Sequence, residues 1–264
     1  MMLSINAISK TFFADTINER RALNNLSLTL AEGDFVTVIG SNGAGKSTLL
    51  NTISGRYTVD SGDIEIDGRR VNGLKEFKRA RHIGRVFQDP MAGTAPNLTI
   101  EQNLALAAKR GQRRGLGRAL NKTKREYFRE QLTSLELGLE NRLTANVGLL
   151  SGGQRQALSL LMAGFTHPSI LLLDEHTAAL DPQRAALVTS LTERIVSQGN
   201  LTTLMVTHNM EQALALGNRL IMMHEGRIVF EAGPEEKKNL TVQGLLDEFS
   251  KIKGAQFDDR ALLG

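Results

Sequence analysis

The sequence predicts an α/β fold with a parallel sheet, a glycine-rich loop at the end of one of its strands, and a helical block inserted mid-chain. Three observations predict it. The apolar strand "FVTVIG" runs directly into "GSNGAGKST" and then into an apolar helical pattern at Leu49, Leu50 and Ile53. Beyond residue 165, apolar strands alternate with helical segments, as a parallel sheet requires. Between about 90 and 149 the strand pattern gives way to apolar residues at spacings of three and four.

Taken in order, the first third reads as strands, with "DIEIDGRRV" alternating around an Asp67-Gly68 turn. The helical block offers "TIEQNLALAAK" (99–109) and "KREYFREQLTSLEL" (124–137). The strands "ILLLD" (170–174) and "TTLMVTH" (202–208) then alternate with the helical stretches "QRAALVTSLTERIVSQG" and "NMEQALALG". A hairpin-like "RLIMMHEGRIVFEAG" follows, and the charged segment from about Glu235 is expected to form a helix with a frayed end. There is no repeat of solenoid period and no low-complexity tract.

Composition sets limits. A chain of 264 residues with 41% hydrophobic content can bury a core as one large domain or two small ones. No run approaches the roughly 18 apolar residues of a membrane span, and "MMLSINAISKTFF" lacks the features of a signal peptide, so a soluble, unexported protein is expected. The absence of cysteine excludes disulfides and thiolate metal sites and fits a reducing cytoplasm.

The chemistry starts at "GSNGAGKST" (40–48), which matches G-x-x-x-x-G-K-[ST] between a strand and a helix. Gly40, Gly43 and Gly45 let backbone N–H groups turn inward around phosphate oxygens at the positive end of the helix. Lys46 reaches β and γ phosphates, and the Ser47 hydroxyl is placed for Mg²⁺. Such a site needs a carboxylate at the end of a neighbouring apolar strand, and "LLLDEHTAALDP" supplies Asp174 for Mg²⁺, with Glu175 placed to polarise an attacking water. A second glycine loop, "LSGGQRQALSLL", opens another helix, with Ser151 as N-cap and Gly152 and Gly153 presenting bare amides to an anion.

With these motifs in hand, the chain resembles the ATP-binding subunit of an ABC transporter along nearly its whole length. Gly40, Ser41, Asn42, Gly43, Ala44, Gly45, Lys46, Ser47 and Thr48 resemble Walker A; "VFQDP" places Gln88 in the Q-loop; Ser151, Gly152, Gly153 and Gln154 belong to the "LSGGQ" signature. "LLLDE" resembles Walker B, "AALD" ends in the D-loop Asp181, and "MVTHN" places His208 as the switch histidine.

The resemblance implies an ABC ATPase fold: a P-loop NTPase (RecA-like) core, an N-terminal antiparallel β subdomain and an inserted α-helical subdomain. In this chain one domain, 1–264, would comprise the β subdomain and core at 1–89 and 151–231, the insert at 90–150, and a helical tail at 232–264. It also implies a head-to-tail dimer, with itself or a similar subunit, around two ATP molecules. Each ATP would lie on Walker A of one chain and under Ser151 and Gly153 of the other. Gln88 would sense the γ phosphate and join Ser47 and Asp174 at Mg²⁺, His208 would align water with Glu175, and Asp181 would meet the partner. Phe12 is favoured over Phe13 to stack on adenine.

Separate permease subunits, and in an importer a solute-binding protein, are implied partners, placing the chain on the cytoplasmic face of the membrane. "VFQDPMAGTAPNLTIEQNL" and "DEHTAALDP" look similar to a bacterial uptake group that includes proposed tryptophan/tyrosine systems, so amino-acid import is the expectation.

His176 stands where the family commonly has proline. Three adjacent residues at a strand end cannot easily converge on one ion, so a structural or polar contact is expected of it rather than metal ligation. The segment 109–125 carries eight basic residues and no acid, expected as a solvated face or a contact with membrane or partner. Nucleic acid is not expected, because the chain has no Trp and only 5% aromatic content. The alternative reading is a non-transport ABC ATPase acting on ribosomes or DNA. A GTPase reading fails because "NKTK" at Asn121 lacks the aspartate of the guanine-reading motif.

Overall fold

Two sheets share one helix between them. A computed structural model describes residues 1–112 and 120–251. Strands β1 (Leu3–Phe12), β2 (Arg20–Leu30), β4 (Ser61–Ile66) and β5 (Arg69–Arg70) form an antiparallel sheet in the order β2-β1-β4-β5. The second sheet combines β3 (Phe35–Gly40), β6 (Ile83–Val86), β7 (Ile170–Asp174), β8 (Thr203–Val206), β9 (Arg219–His224) and β10 (Arg227–Ala232) in the order β10-β9-β3-β8-β7-β6. Its strands are parallel except for the edge strand β10, which returns antiparallel beside β9.

The sequence dictates this division. β3, β7 and β8 are continuous apolar runs and are buried on both faces, the pattern of central parallel strands. Alternation along β7 sends Ile170 and Leu172 into the core shared with α1 (Lys46–Ser54) and the antiparallel sheet, while Leu171 and Leu173 face the helical side. Both hairpins turn on two residues of positive φ, Asp67-Gly68 (53° and 67°) and Glu225-Gly226 (45° and 76°), as tight hairpins favour.

Between β6 and β7 lie α3 (Ile100–Ala108), α4 (Lys122–Thr133) and α5 (Gly152–Gly164), following the short α2 (Glu76–Arg79). Capping boxes start α3 at Thr99 with Gln102 and α5 at Ser151 with Gln154. Helix α4 differs from expectation. It begins at Lys122, capped by Asn121, and ends at Thr133 rather than near 137. Glu136 and Gly138 adopt left-handed backbone (φ 58° and 68°), and the turn lets both Leu135 and Leu139 bury completely.

The remaining helices are α6 (Pro182–Gly199), α7 (Met210–Ala215) and α8 (Pro234–Lys238), followed by helical backbone at 242–251. The expected C-terminal helix is thus broken at Asn239-Leu240, and its expected frayed end lies outside the described residues. Lys237 of α8 is buried and donates to Thr37 Oγ1 (3.1 Å) and to the carbonyls of Leu216 and Arg219.

Part of the basic segment is absorbed by the fold, although 113–119 lie outside the described residues. Arg110 donates to the Ala163 carbonyl and Thr166 Oγ1, and Arg125 grips both carboxylate oxygens of Glu101.

Candidate functional site

Gly40 ends β3, Asp174 ends β7 and Thr207 follows β8, so three strands deliver their chemistry to one end of the parallel sheet. Ligands of open α/β sheets bind at such carboxyl ends. Here they enclose a cleft of about 260 Å³ lined by Phe12, Arg20, Ala22, the loop from Asn42 to Thr48, Glu175 and His208.

The loop is held from both sheets. A Cβ on Gly40 would lie 2.3 Å from the Met223 carbonyl oxygen, and one on Gly45 would lie 2.3 Å from that of Ala22. Gly45 also has φ 99°, so only glycine fits there without strain. Lys46 opens α1 and is 5% exposed, its Nζ donating to the carbonyls of Gly40 (2.8 Å) and Ser41 (3.0 Å). Burial lowers its pKa, opposed by the nearby carboxylates of Glu175 and Asp174. Arg20 on β2 donates to the Gly43 carbonyl at 3.0 Å.

Ser47 Oγ lies 3.5 Å from Asp174 Oδ1, while Asp174 Oδ2 is paired at 3.2 Å with Arg85 of β6. Arg85 in turn lies over the Phe87 ring, 4.6 Å from its centroid. A hydroxyl and a carboxylate facing each other beside the glycine loop form a hard-oxygen donor set that suits Mg²⁺.

Glu175 has left-handed backbone (φ 47°), a conformation that costs energy for a non-glycine residue and here turns the side chain back over the cleft. Its N–H donates to the Val206 carbonyl at 3.0 Å, and its Oε1 lies 2.7 Å from His208 Nε2. His176, the next residue, turns inward, 2% exposed, with Nε2 at 2.9 Å from Thr192 Oγ1. Burial drives its pKa down to about 4, so it is a neutral contact between strand end and α6.

Several sequence candidates stand outside this cleft. Gln88 is exposed just beyond β6 and does not line it. Ser151, Gly152, Gly153 and Gln154 open α5 elsewhere, with Gly153 packed against Arg184 of α6. Asp181 caps α6, accepting from the Arg184 N–H at 3.1 Å, with Pro182 in the first turn. Of the two phenylalanines, Phe12 lines the cleft and packs edge-on against Tyr57, whereas Phe13 points away and is 71% exposed.

Sequence reasoning missed Arg20 and Arg85. Both are arginines within strands, and nothing in their local pattern signals what they face.

The family model described as ABC transporter matches residues 23–178. The chain belongs to the ABC transporter ATP-binding family. Among curated relatives of this ABC cassette, the tyrosine transport ATP-binding protein of Clostridioides difficile (strain R20291) is 46% identical over 94% of the chain and 98% of the relative. Methionine import ATP-binding protein MetN of Rhizobium johnstonii (strain DSM 114642 / LMG 32736 / 3841) is 37% identical over 80% of the chain, which spans 56% of that longer protein.

Solved ABC cassettes share the architecture. The dimeric post-hydrolysis state of the ATP-binding cassette MJ0796 bound to ADP and Pi superposes with a TM-score of 0.75 at 30% identity, covering 88% of this chain and 98% of that one. The ADP conformation of MJ1267, another ABC transporter cassette, gives 0.75 at 25% identity over 94% and 98%. As members of this family are ATPases, the chain hydrolyses ATP.

Proposed function

We propose that this cassette hydrolyses ATP in a head-to-tail dimer to drive separate permease subunits, importing an amino acid of the aromatic class. One observation carries the dimeric mechanism. The phosphate loop, Glu175 and His208 line one cleft, while the anion-seeking start of α5 does not, so a single chain holds only part of the site the motifs describe. A second chain, turned head to tail, would bring Ser151 and Gly153 over the γ phosphate; the similar cassette MJ0796 is dimeric with ADP and Pi bound. The substrate class rests on the tyrosine transport relative, similar along 94% of the chain.

In this reading Phe12 receives the adenine, and the loop from Gly40 to Thr48 wraps the phosphates with its N–H groups. Lys46 exchanges its contacts with Gly40 and Ser41 for phosphate oxygens. Ser47 and Asp174 would hold Mg²⁺, which when bound neutralises phosphate charge. Glu175 takes the proton of the attacking water, and His208, already in contact with it, orients both. Gln88 joins from its exposed position when the insert (90–150) swings toward the core, and Asp181 meets the partner chain.

No helix among the described residues is long and apolar enough to cross a membrane. The permease subunits would therefore hold the cassette at the cytoplasmic membrane face, with a solute-binding protein delivering cargo. The test is uptake of labelled tyrosine by cells lacking this subunit. Restored uptake with the wild-type gene and none with Glu175→Gln supports import; export of the label, or copurification with ribosomes or DNA and no membrane subunit, overturns it.

A further inference from the structure

Behind the Glu175–His208 contact lies a polar knot that no sequence motif announces. Gln212 of α7 sends its Nε2 to Thr189 Oγ1 (2.9 Å) on α6 and to Thr177 Oγ1 (3.2 Å), two residues past Glu175. Its Oε1 accepts from Thr207 Oγ1 at 2.8 Å, beside His208. These four residues line, together with Glu175 and His208, a groove of about 880 Å³ between α6 and α7.

The hydroxyls fix which end of the amide faces which threonine. Thr189 Oγ1 donates to the Ala185 carbonyl at 2.8 Å, so it can only accept from Gln212. With Nε2 committed to Thr189, the amide oxygen Oε1 faces Thr207, whose hydroxyl donates to it while accepting from the Asn209 N–H at 3.1 Å. The backbone of Gln212 closes the loop, its N–H donating to Asn209 Oδ1 at 2.9 Å. One side chain thus ties Thr207, which precedes His208, to the segment after Glu175 and to the helix that Asp181 caps.

We propose that Gln212 is a positioning residue for the Glu175–His208 pair. It holds the segments following β7 and β8 in one register, which fixes the distance between carboxylate and imidazole while touching neither. Left-handed backbone at Glu175 makes such support necessary, since a strained conformation persists only where its surroundings over-determine it. The proposal rests on the hydrolytic roles given above to Glu175 and His208.

The test uses the full chain and two variants. Gln212→Leu removes every side-chain hydrogen bond; Gln212→Glu keeps size and the contact to Thr207 but cannot donate to Thr189. Both are expected to lower kcat for ATP roughly tenfold, the worth of one or two hydrogen bonds, with KM and the affinity for a fluorescent ATP analogue unchanged. In a His208→Ala background Gln212→Glu is expected to add little further loss, because what it fixes is the contact between Glu175 and that histidine. Wild-type kcat in Gln212→Glu, a loss confined to KM, or losses that multiply with His208→Ala would overturn the proposal. Glu175→Gln, assayed alongside, separates the two levels: if it hydrolyses ATP normally, the reading of the pair fails, whatever Gln212 does.

Discussion

His208 Nε2 and Glu175 Oε1 meet at 2.7 Å although they follow different strands, β8 and β7, and lie 13% exposed on the glutamate side and 44% on the histidine side. The carboxylate is sheltered and the imidazole reaches solvent. That asymmetry suits a base protected from bulk water and held by a residue that can follow an incoming nucleotide.

Glu175→Gln keeps the shape of the side chain and loses its basicity. ATP binding should be retained and kcat should fall by a factor of roughly 100 or more, the range of general-base contributions. Size-exclusion chromatography with ATP should show an accumulated dimer. Steady-state hydrolysis at the wild-type rate would remove Glu175 from the chemistry.

Lys46→Ala leaves the carbonyls of Gly40 and Ser41 without their buried donor and the phosphates without their cation. ATP affinity by equilibrium titration should weaken roughly tenfold or more, as expected for losing charge-assisted hydrogen bonds of about 1.5–3 kcal/mol. Unchanged affinity together with unchanged turnover would contradict the phosphate-loop reading.

Asp174→Asn should weaken nucleotide binding in Mg²⁺ and leave binding in excess chelator unaltered. The comparison isolates the metal contribution, because Asp174 faces Ser47 through one oxygen and Arg85 through the other. Equal weakening in both conditions would point to a general loss of packing.

Lys237 gives a pH signature. Burial drops its pKa to about 8 from 10.5, so between those values the unfolded chain binds a proton that the folded chain does not. Stability contributed at this position therefore rises with pH across the window, by at most about 1.4 kcal/mol per unit. The difference between wild type and Lys237→Met in urea denaturation should shift in favour of the wild type from pH 8 to 10. A constant difference would show that its hydrogen bonds to Thr37, Leu216 and Arg219 hold the ammonium against its burial.

His176→Ala should cost about 1–3 kcal/mol in the same assay, through a buried cavity and the lost hydrogen bond to Thr192 Oγ1, which keeps only its bond to the Val188 carbonyl. A change within experimental error would mean the strand end holds its place without that contact.

The sequence was most legible where chemistry or burial constrains consecutive residues. The largely apolar runs of β3, β7 and β8 read as buried strands, and the glycine loop follows directly from the end of one. Pattern reading failed where the deciding partner is distant. The end of α4 is set by the burial of Leu135 and Leu139, and the orientation of Asp174 by Arg85, 89 residues away. His176 shows the same limit in part: a polar contact rather than an ion site was legible, but not that its partner would be Thr192 on the next helix.

The contact between Gly45 and the Ala22 carbonyl has a thermodynamic consequence. The cleft takes Phe12, Arg20 and Ala22 from the antiparallel sheet and the glycine loop, Glu175 and His208 from the parallel one, so in the proposed reading a nucleotide would span both. A bound nucleotide acts as a clamp across the seam, and its binding free energy is available only while both sheets are folded together. Saturating ATP should therefore raise and sharpen a single melting transition, making the cell's nucleotide pool a standing contributor to the integrity of the fold.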